Sequence, residues 1–110
     1  MGQLAIGTVV LINFPFADLR GYKKRPAMVV ARSSLNTVIL CQITSRRLPD
    51  VPSIELTKAD FESGGLPITS YIRPDKLFTV DSSTAEKKLL GMMSAGRVEE
   101  VKTTARKLFE

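Results

Sequence analysis

The sequence predicts a mainly β protein, a small and partly closed β-barrel of about six short strands followed by C-terminal helices. Two observations support this fold class. Most of the chain consists of short β-branched and apolar runs separated by Pro, Gly, Ser and Asn, a pattern typical of strands and turns. After Asp81 the apolar residues recur at helical spacing instead. A chain of 110 residues is long enough for one domain with one modest core, so we expect a single domain over 1–110.

The predicted strands follow one another with polar turns between them, and they cover residues 8–14, 27–31, 37–44, 53–56, 68–73 and 76–80. Pro26 is expected at the first position of the second strand, where no ladder donor is needed. Pro74 is expected to separate the last two strands. Residues 58–65 are predicted to form a turn or a single helical turn that ends in two glycines.

Two helices are expected after the strands. The Ser83-x-x-Glu86 pattern resembles a capping box and predicts a short helix that continues to about Met92. Ser94 is expected to cap the last helix. Its apolar stripe favours a core or dimer contact over a membrane face, and consists of Val98, Val101, Ala105 and Leu108.

The residues that are missing exclude several kinds of chemistry. The chain has no histidine, which excludes Ser-His and Cys-His catalytic pairs, the common Cys/His zinc sites and paired-histidine ribonuclease sites. Cys41 is the only cysteine, so no intramolecular disulfide can form, and we expect a small core residue rather than a nucleophile. No transmembrane run or secretory signal is visible, which favours the cytoplasm.

The basic residues are strongly segregated. Residues 19–49 contain seven basic residues and no acid, whereas the rest of the chain has nine basic against 11 acidic residues. A solvated surface without a partner is one interpretation; a phosphate-binding face, most of all for RNA, is the one that the segregation favours. The basic residues of the segment are Arg20, Lys23, Lys24, Arg25, Arg32, Arg46 and Arg47.

Arg25 and Thr44 are the residues in this segment best suited to act on a phosphodiester. RNA can be cut by its own 2′-hydroxyl, and a protein can assist by stabilising the phosphorane with arginine and hydroxyl donors. Arg25 precedes the second strand and Thr44 ends the third. If these strands are antiparallel neighbours, the two residues meet at one edge of the sheet. A surface charge and a hydroxyl that caps a turn are the structural alternatives.

Three aromatic residues lie before or within the basic stretch 20–25 and are candidates for base stacking. Phe14 is expected to plug the barrel end. Phe16 fits either role, and Tyr22 is the better stacking candidate.

Several segments occur in the order seen in the MazF/PemK toxin family, which the chain therefore resembles. They are GTVVLINFPF (7–16), KRPAMVV (24–30), CQITS (41–45), Gly65-Leu66 with Ser70, and IRPDKLFTVD (72–81). The resemblance implies a homodimeric barrel of the Src-homology-3-like kind, shared by CcdB and MazF toxins. It also implies metal-independent cleavage of single-stranded RNA without a cofactor, and a cognate antitoxin whose acidic tail occupies the RNA groove.

The same resemblance assigns roles to individual residues. It implies that Arg25 is the catalytic arginine and Thr44 the catalytic hydroxyl, with Ser45 and Ser70 near the groove. Because guanidinium is a poor proton acceptor, Arg25 is expected chiefly to stabilise the phosphorane. By charge alone, further RNA contacts are expected from Arg20, Lys23, Lys24, Arg46 and Arg47.

Two other functions remain open from the sequence. CcdB-type gyrase poisons share the barrel architecture without being nucleases, and a barrel of this kind could also bind nucleic acid without cutting it.

Overall fold

Antiparallel strands dominate the computed structural model, which describes residues 4–15 and 22–110, and the side chains of 4–13 and 24–110. In this part of the chain seven strands form one curled sheet, ordered β4-β6-β3-β2-β1-β7-β5. The strands are β1 (Thr8–Pro15), β2 (Tyr22–Arg32), β3 (Thr37–Thr44), β4 (Ile54–Leu56), β5 (Phe61–Gly64), β6 (Ser70–Asp81) and β7 (Leu89–Met93). Two α-helices, α1 (Ser82–Ala85) and α2 (Ala95–Lys107), and a 3-10 turn at Lys58–Asp60 complete the described structure. The predicted fold class is confirmed.

Both faces of the sheet bury apolar side chains because successive residues of a strand point to opposite sides. Val9 and Met28 belong to one cluster, which also contains Val98 and Val101 of α2. Val10 belongs to a second cluster on the other face, together with Ala85 of α1. The sheet is therefore covered by a helix on each side.

Strand β2 is longer than predicted and includes Pro26 in its interior, so the prediction that Pro26 begins the strand is wrong. Pairing of β2 with β1 extends through Pro26 to Tyr22. Pairing with β3 begins only at Ala27. Pro26, which has no amide hydrogen to donate, lies just beyond the ladder between β2 and β3, where a proline can be accommodated.

Strand β6 is continuous, so the prediction of two strands separated by Pro74 is also wrong. Gln42 of β3 pairs with Arg73, and the preceding Cys41 pairs with Leu77. Residues 74–76 therefore form an irregularity without partners in β3. A bulge of this kind lets a proline remain within a strand.

Two strands were not predicted at all. β5 occupies part of the expected turn, and β7 occupies the segment expected to be helical, where α1 ends at Ala85. β7 pairs with β1 on one side and with β5 on the other. Pairing with β1 and β5 gives the backbone N–H and C=O groups of this segment more hydrogen bonds than a short helix could give them. Local capping patterns give no sign of this long-range pairing.

Helix α2 begins as predicted. The Ser94 hydroxyl accepts a hydrogen bond of 3.4 Å from the Arg97 amide. Val98 and Val101 of the predicted stripe are buried, but Leu108 is 43% exposed. The stripe therefore contributes to the core only in its first half. No helix in the described segments is both long and apolar enough to span a bilayer.

Candidate functional site

Strands β2 and β3 are antiparallel neighbours, as predicted, and their ladder ends at Ala27 of β2 and Gln42 of β3. Ala27 pairs with Gln42, and the register is regular through Met28 and Cys41. Extrapolated by two residues beyond the end of this ladder, the same register would set Arg25 opposite Thr44. Side chains at directly opposed positions of an antiparallel pair project from the same face.

The pairing of β6 and β4 extends this row across the sheet. Thr44 pairs with Tyr71, which in turn pairs with Glu55. Thr44, Tyr71 and Glu55 are thus paired in one row over β3, β6 and β4, and the extrapolated register adds Arg25 of β2 to this row, called here the Arg25 row.

The adjacent residues form a second row on the opposite face. Ser70 pairs with Leu56, and the register of β3 and β6 continued by one residue sets Ser45 opposite Ser70. The register of β2 and β3 brings Lys24 opposite Ser45 in the same way. The residues predicted from the sequence are thus divided between two faces, because alternation separates immediate neighbours along a strand.

A cleft of about 350 Å³ is lined by three residues of the second row, Lys24, Ser45 and Ser70, and Arg25 of the other row also reaches its lining. Its remaining wall is mainly apolar and includes Leu11, Ile43, Leu66, Ile68 and Leu90. Thr44 does not line this cleft. Basic groups beside an apolar wall can hold a phosphate chain and its bases at the same time.

The Thr44 hydroxyl is held in a defined position. Thr44 is only 8% exposed. Its Oγ1 accepts a hydrogen bond of 3.1 Å from the Arg46 amide. A threonine hydroxyl that accepts in this way keeps its own proton available for donation.

The Ser70 hydroxyl is already committed as a donor. It donates a hydrogen bond of 3.0 Å to the carbonyl oxygen of Ile68, and the residue is 4% exposed. Because a hydroxyl has a single proton, Ser70 can only accept from a further partner. Ser70 therefore shapes the cleft wall around Ile68 rather than supplying a donor to a phosphate.

The basic segment 19–49, which contains no acid, does not form one continuous surface. Lys24 is exposed and Arg25 half-buried at the start of β2, and Arg46 and Arg47 are exposed just after β3. Arg32, at the other end of β2, donates from Nη2 to the carbonyl oxygen of Leu4 at 2.6 Å. Arg32 lies seven positions after Arg25 along β2, a distance of about 23 Å at roughly 3.3 Å per residue. Arg32 is therefore excluded from this site.

Several predicted RNA contacts fall on residues whose side chains lie outside the described part of the structure. Arg20 and Phe16 lie outside the described residues. Tyr22 and Lys23 belong to the backbone of β2. Their proposed contacts with RNA stay predictions.

Cys41 is an inert core residue. It is fully buried, and this burial, with a smaller effect from the charge of Asp75, raises the pKa of its thiol to about 12. A thiol with so high a pKa remains protonated near neutral pH and is not a nucleophile. Among residues 4–15 and 22–110, no three acidic or thiol side chains are grouped so that they could hold a metal ion.

Sequence reasoning missed Tyr71 and Glu55 of the Arg25 row. Both lie on strands that are distant from Arg25 in the chain, and only the ladders of β6 and β4 reveal the proximity. The Ser70 motif next to Tyr71 was the one sequence signal near them.

A comparison with protein families decides the relationship of the chain. The family described as "PemK-like, MazF-like toxin of type II toxin-antitoxin system" matches residues 5–109. The chain belongs to this toxin family. The resemblance inferred from the ordered motifs is thereby confirmed.

A solved structure shows that the toxin also shares the fold of this group. The crystal structure of MazE-MazF (Form-III) from Deinococcus radiodurans matches with a TM-score of 0.75 and 19% sequence identity. The match covers 98% of this toxin and 97% of the other chain. Among curated proteins the toxin has no match.

Proposed function

We propose that this toxin is a sequence-selective endoribonuclease that cuts single-stranded RNA without a metal ion. The observation that carries the proposal is the register that sets Arg25 opposite Thr44, at the basic end of the sheet, in a chain of this toxin family. This extrapolated register supports the proposal because it would set two donors suited to phosphate oxygens at directly opposed positions.

In the proposed reaction, the RNA supplies its own nucleophile. The 2′-hydroxyl loses its proton as its oxygen attacks the adjacent phosphorus, the bond to the 5′-oxygen breaks, and that oxygen takes up a proton, so the products carry a 2′,3′-cyclic phosphate and a 5′-hydroxyl. The phosphorane between these states carries extra negative charge on its non-bridging oxygens. A planar guanidinium can donate to two of these oxygens at once, which is the role proposed for Arg25.

Thr44 is proposed to donate a second hydrogen bond to the same phosphorane. Its Oγ1 is fixed by the Arg46 amide, so its proton needs little reorganisation before donation. Because guanidinium groups remain protonated in proteins, Arg25 is not assigned the removal of the 2′ proton.

The surrounding residues are proposed to hold the RNA chain. Lys24, Arg46 and Arg47 are exposed near the start of β2 and the end of β3, where they can contact phosphates on either side of the cut. Ser45 lies beside Lys24 in the cleft wall.

The toxin is further proposed to act as a homodimer of single-domain subunits in the cytoplasm, and to bind a cognate antitoxin. The family is one of toxin-antitoxin systems, and the structurally similar protein was crystallised as a MazE-MazF complex. A basic end of the sheet is suited to the acidic segment expected in the antitoxin.

An experiment with purified toxin in EDTA tests the proposal. The toxin should cut single-stranded RNA but not DNA of the same sequence, which lacks the attacking hydroxyl. Arg25→Ala should lower the cleavage rate by about 10²–10³-fold, the usual effect of losing one such donor. Arg106→Ala, at an exposed position of α2, is the matched control and should retain full activity.

Three outcomes would contradict the proposal. Undiminished cleavage by a folded Arg25→Ala variant would remove the assigned residue. Activity that disappears in EDTA and returns with magnesium would remove the mechanism. Intact RNA together with trapped gyrase–DNA complexes would favour a gyrase poison of the CcdB type.

A further inference from the structure

Tyr71 is the direct neighbour of Thr44 in the Arg25 row. The two residues pair across β3 and β6. Directly opposed residues of an antiparallel ladder have Cβ atoms about 4.5–5.5 Å apart and share one face of the sheet. Tyr71 is half-buried, so part of its side chain remains accessible.

Two polar residues lie next to Tyr71 on its face of the sheet. Glu55 faces it from β4. On β6 itself, Arg73 follows on the same face, and its guanidinium is held by Asp75 through hydrogen bonds of 3.2 Å from Nε and 2.7 Å from Nη2. The side chain of Arg73 is only 14% exposed. Tyr71 therefore has two polar residues as neighbours on its face of the sheet, and one of them, Arg73, is held by Asp75.

We propose that Tyr71 is a base-stacking residue, which binds the base of a nucleotide adjacent to the phosphate held by Arg25 and Thr44. This inference rests on the proposed function for the position of that phosphate. Two strand spacings separate Tyr71 from Arg25, about 10 Å at roughly 4.8 Å each. A phosphate at Arg25 and Thr44 thus brings a neighbouring base within reach of the ring.

Single-stranded RNA offers bases that the aromatic ring of Tyr71 can bind. Bases of single-stranded RNA are unpaired, so they can be splayed out and bound on aromatic faces. Stacking on one aromatic side chain contributes about 1–3 kcal/mol per base, which corresponds to about 5–150-fold in affinity. Tyr71 would therefore contribute to binding, whereas Arg25 and Thr44 contribute to the chemical step.

The test measures binding of a single-stranded RNA that carries one 2′-deoxynucleotide at the mapped cut site and so cannot be cleaved. Tyr71→Leu should weaken its binding by about 5–150-fold, the range expected for one stacked base. Tyr71→Phe keeps the ring and should bind as the unchanged toxin does. Thermal unfolding of each variant establishes that the fold is retained.

A second RNA separates stacking from a merely structural role. It lacks the base on one side of the cut site, with each side tested in turn. On one of these abasic RNAs the unchanged toxin and Tyr71→Leu should bind equally well, because the contact is already missing. An equal loss for Tyr71→Leu on every RNA, or no loss on the intact RNA, would overturn the inference.

These binding results can be distinguished from failure of the proposed function. If the toxin cuts the normal RNA but Tyr71→Leu binds the deoxy-substituted RNA as well as before, only the stacking role is wrong. If the toxin does not cut RNA at all, the proposed function is wrong, and the inference fails with it because no cut site exists.

Discussion

At the scale of single residues, burial determines which groups can take part in chemistry. Cys41 has the one intrinsically nucleophilic thiol of the chain, yet it is fully buried and its pKa is raised to about 12 by that burial and, less strongly, by Asp75. Thr44 is also buried, but a backbone amide orients its hydroxyl at the strand end. A fixed donor next to an arginine is therefore available, and a reactive thiolate is not.

The raised pKa of Cys41 predicts a loss of stability at high pH. The contribution is fully present below the ordinary thiol value of 9.0 and is lost as pH rises from there toward about 12, since only the unfolded state ionises in that window. Between pH 7 and pH 10 the toxin should lose about 1.4 kcal/mol more unfolding free energy than Cys41→Ala. Urea unfolding of both proteins at the two pH values measures this. Equal losses would show that the thiol titrates normally in the folded state.

At the scale of elements, a polar clip joins the 3-10 turn at Lys58–Asp60 to helix α2. The Arg97 Nε donates to Asp60 Oδ1 at 2.9 Å, and the Ser94 amide donates to the Asp60 carbonyl oxygen at 2.7 Å. Burial alone would raise the pKa of Asp60, but the Thr57 amide and the Arg97 guanidinium outweigh it and hold this pKa below its usual value. The clip fixes the start of α2 against the segment that enters β5.

Asp60→Asn should remove the charged part of this clip. At pH 7 we expect the variant to lose about 1–2 kcal/mol of unfolding free energy, toward the low end for a charge-assisted hydrogen bond because Arg97 is partly screened by solvent. A lowered pKa stabilises the fold above the unfolded value of 3.8, and this contribution disappears as pH falls through the folded value. The difference between the two proteins, followed by thermal unfolding, should therefore shrink below about pH 4. A difference that is constant with pH would contradict the assignment.

At the scale of the whole molecule, the fold gathers charge from two separate parts of the chain. Lys24 and Arg25 precede the pairing of β2 with β3, and Arg46 and Arg47 follow the end of β3. Antiparallel pairing brings these four residues to one end of the sheet. Arg32 belongs to the same stretch of sequence but lies at the other end of β2.

This distribution predicts how binding depends on salt. If the four gathered basic residues each neutralise one phosphate, the log–log slope for a non-cleavable single strand should be near −3, from about −0.7 per phosphate. Arg46→Gln combined with Arg47→Gln should reduce the magnitude of the slope by about 1.4.

The control for this measurement removes the same charge elsewhere. Arg106→Gln combined with Lys107→Gln changes two exposed residues in the last turn of α2 and should leave the slope unchanged. Equal slopes for both double variants, measured by fluorescence anisotropy across a salt series, would show that net charge rather than its position governs binding.

Local patterns were sufficient where each element is defined by its own residues. The β-branched run 37–44 coincides with β3, and Ser94 caps α2 as its position before an apolar stripe predicts. They failed where a distant ladder competes. The capping pattern at Ser83 predicted a helix to about Met92; a helix does form there, but Asp81 is its N-cap and it ends at Ala85, because β1 and β5 recruit residues 89–93 as a strand. Pro74 indicated a strand break because a bulge opposite β3 cannot be recognised from sequence.

The sequence by itself determined the strand-rich character, the absence of histidine chemistry, the basic segment and the family of this toxin. Those properties depend on residue types and on their order along the chain. The tertiary structure alone decided which strands are neighbours: it joined Thr44 to Tyr71 and removed Arg32 from the site. The physical reason is that the partners of a strand depend on the whole fold, whereas alternation along one strand already determines which of its residues share a face.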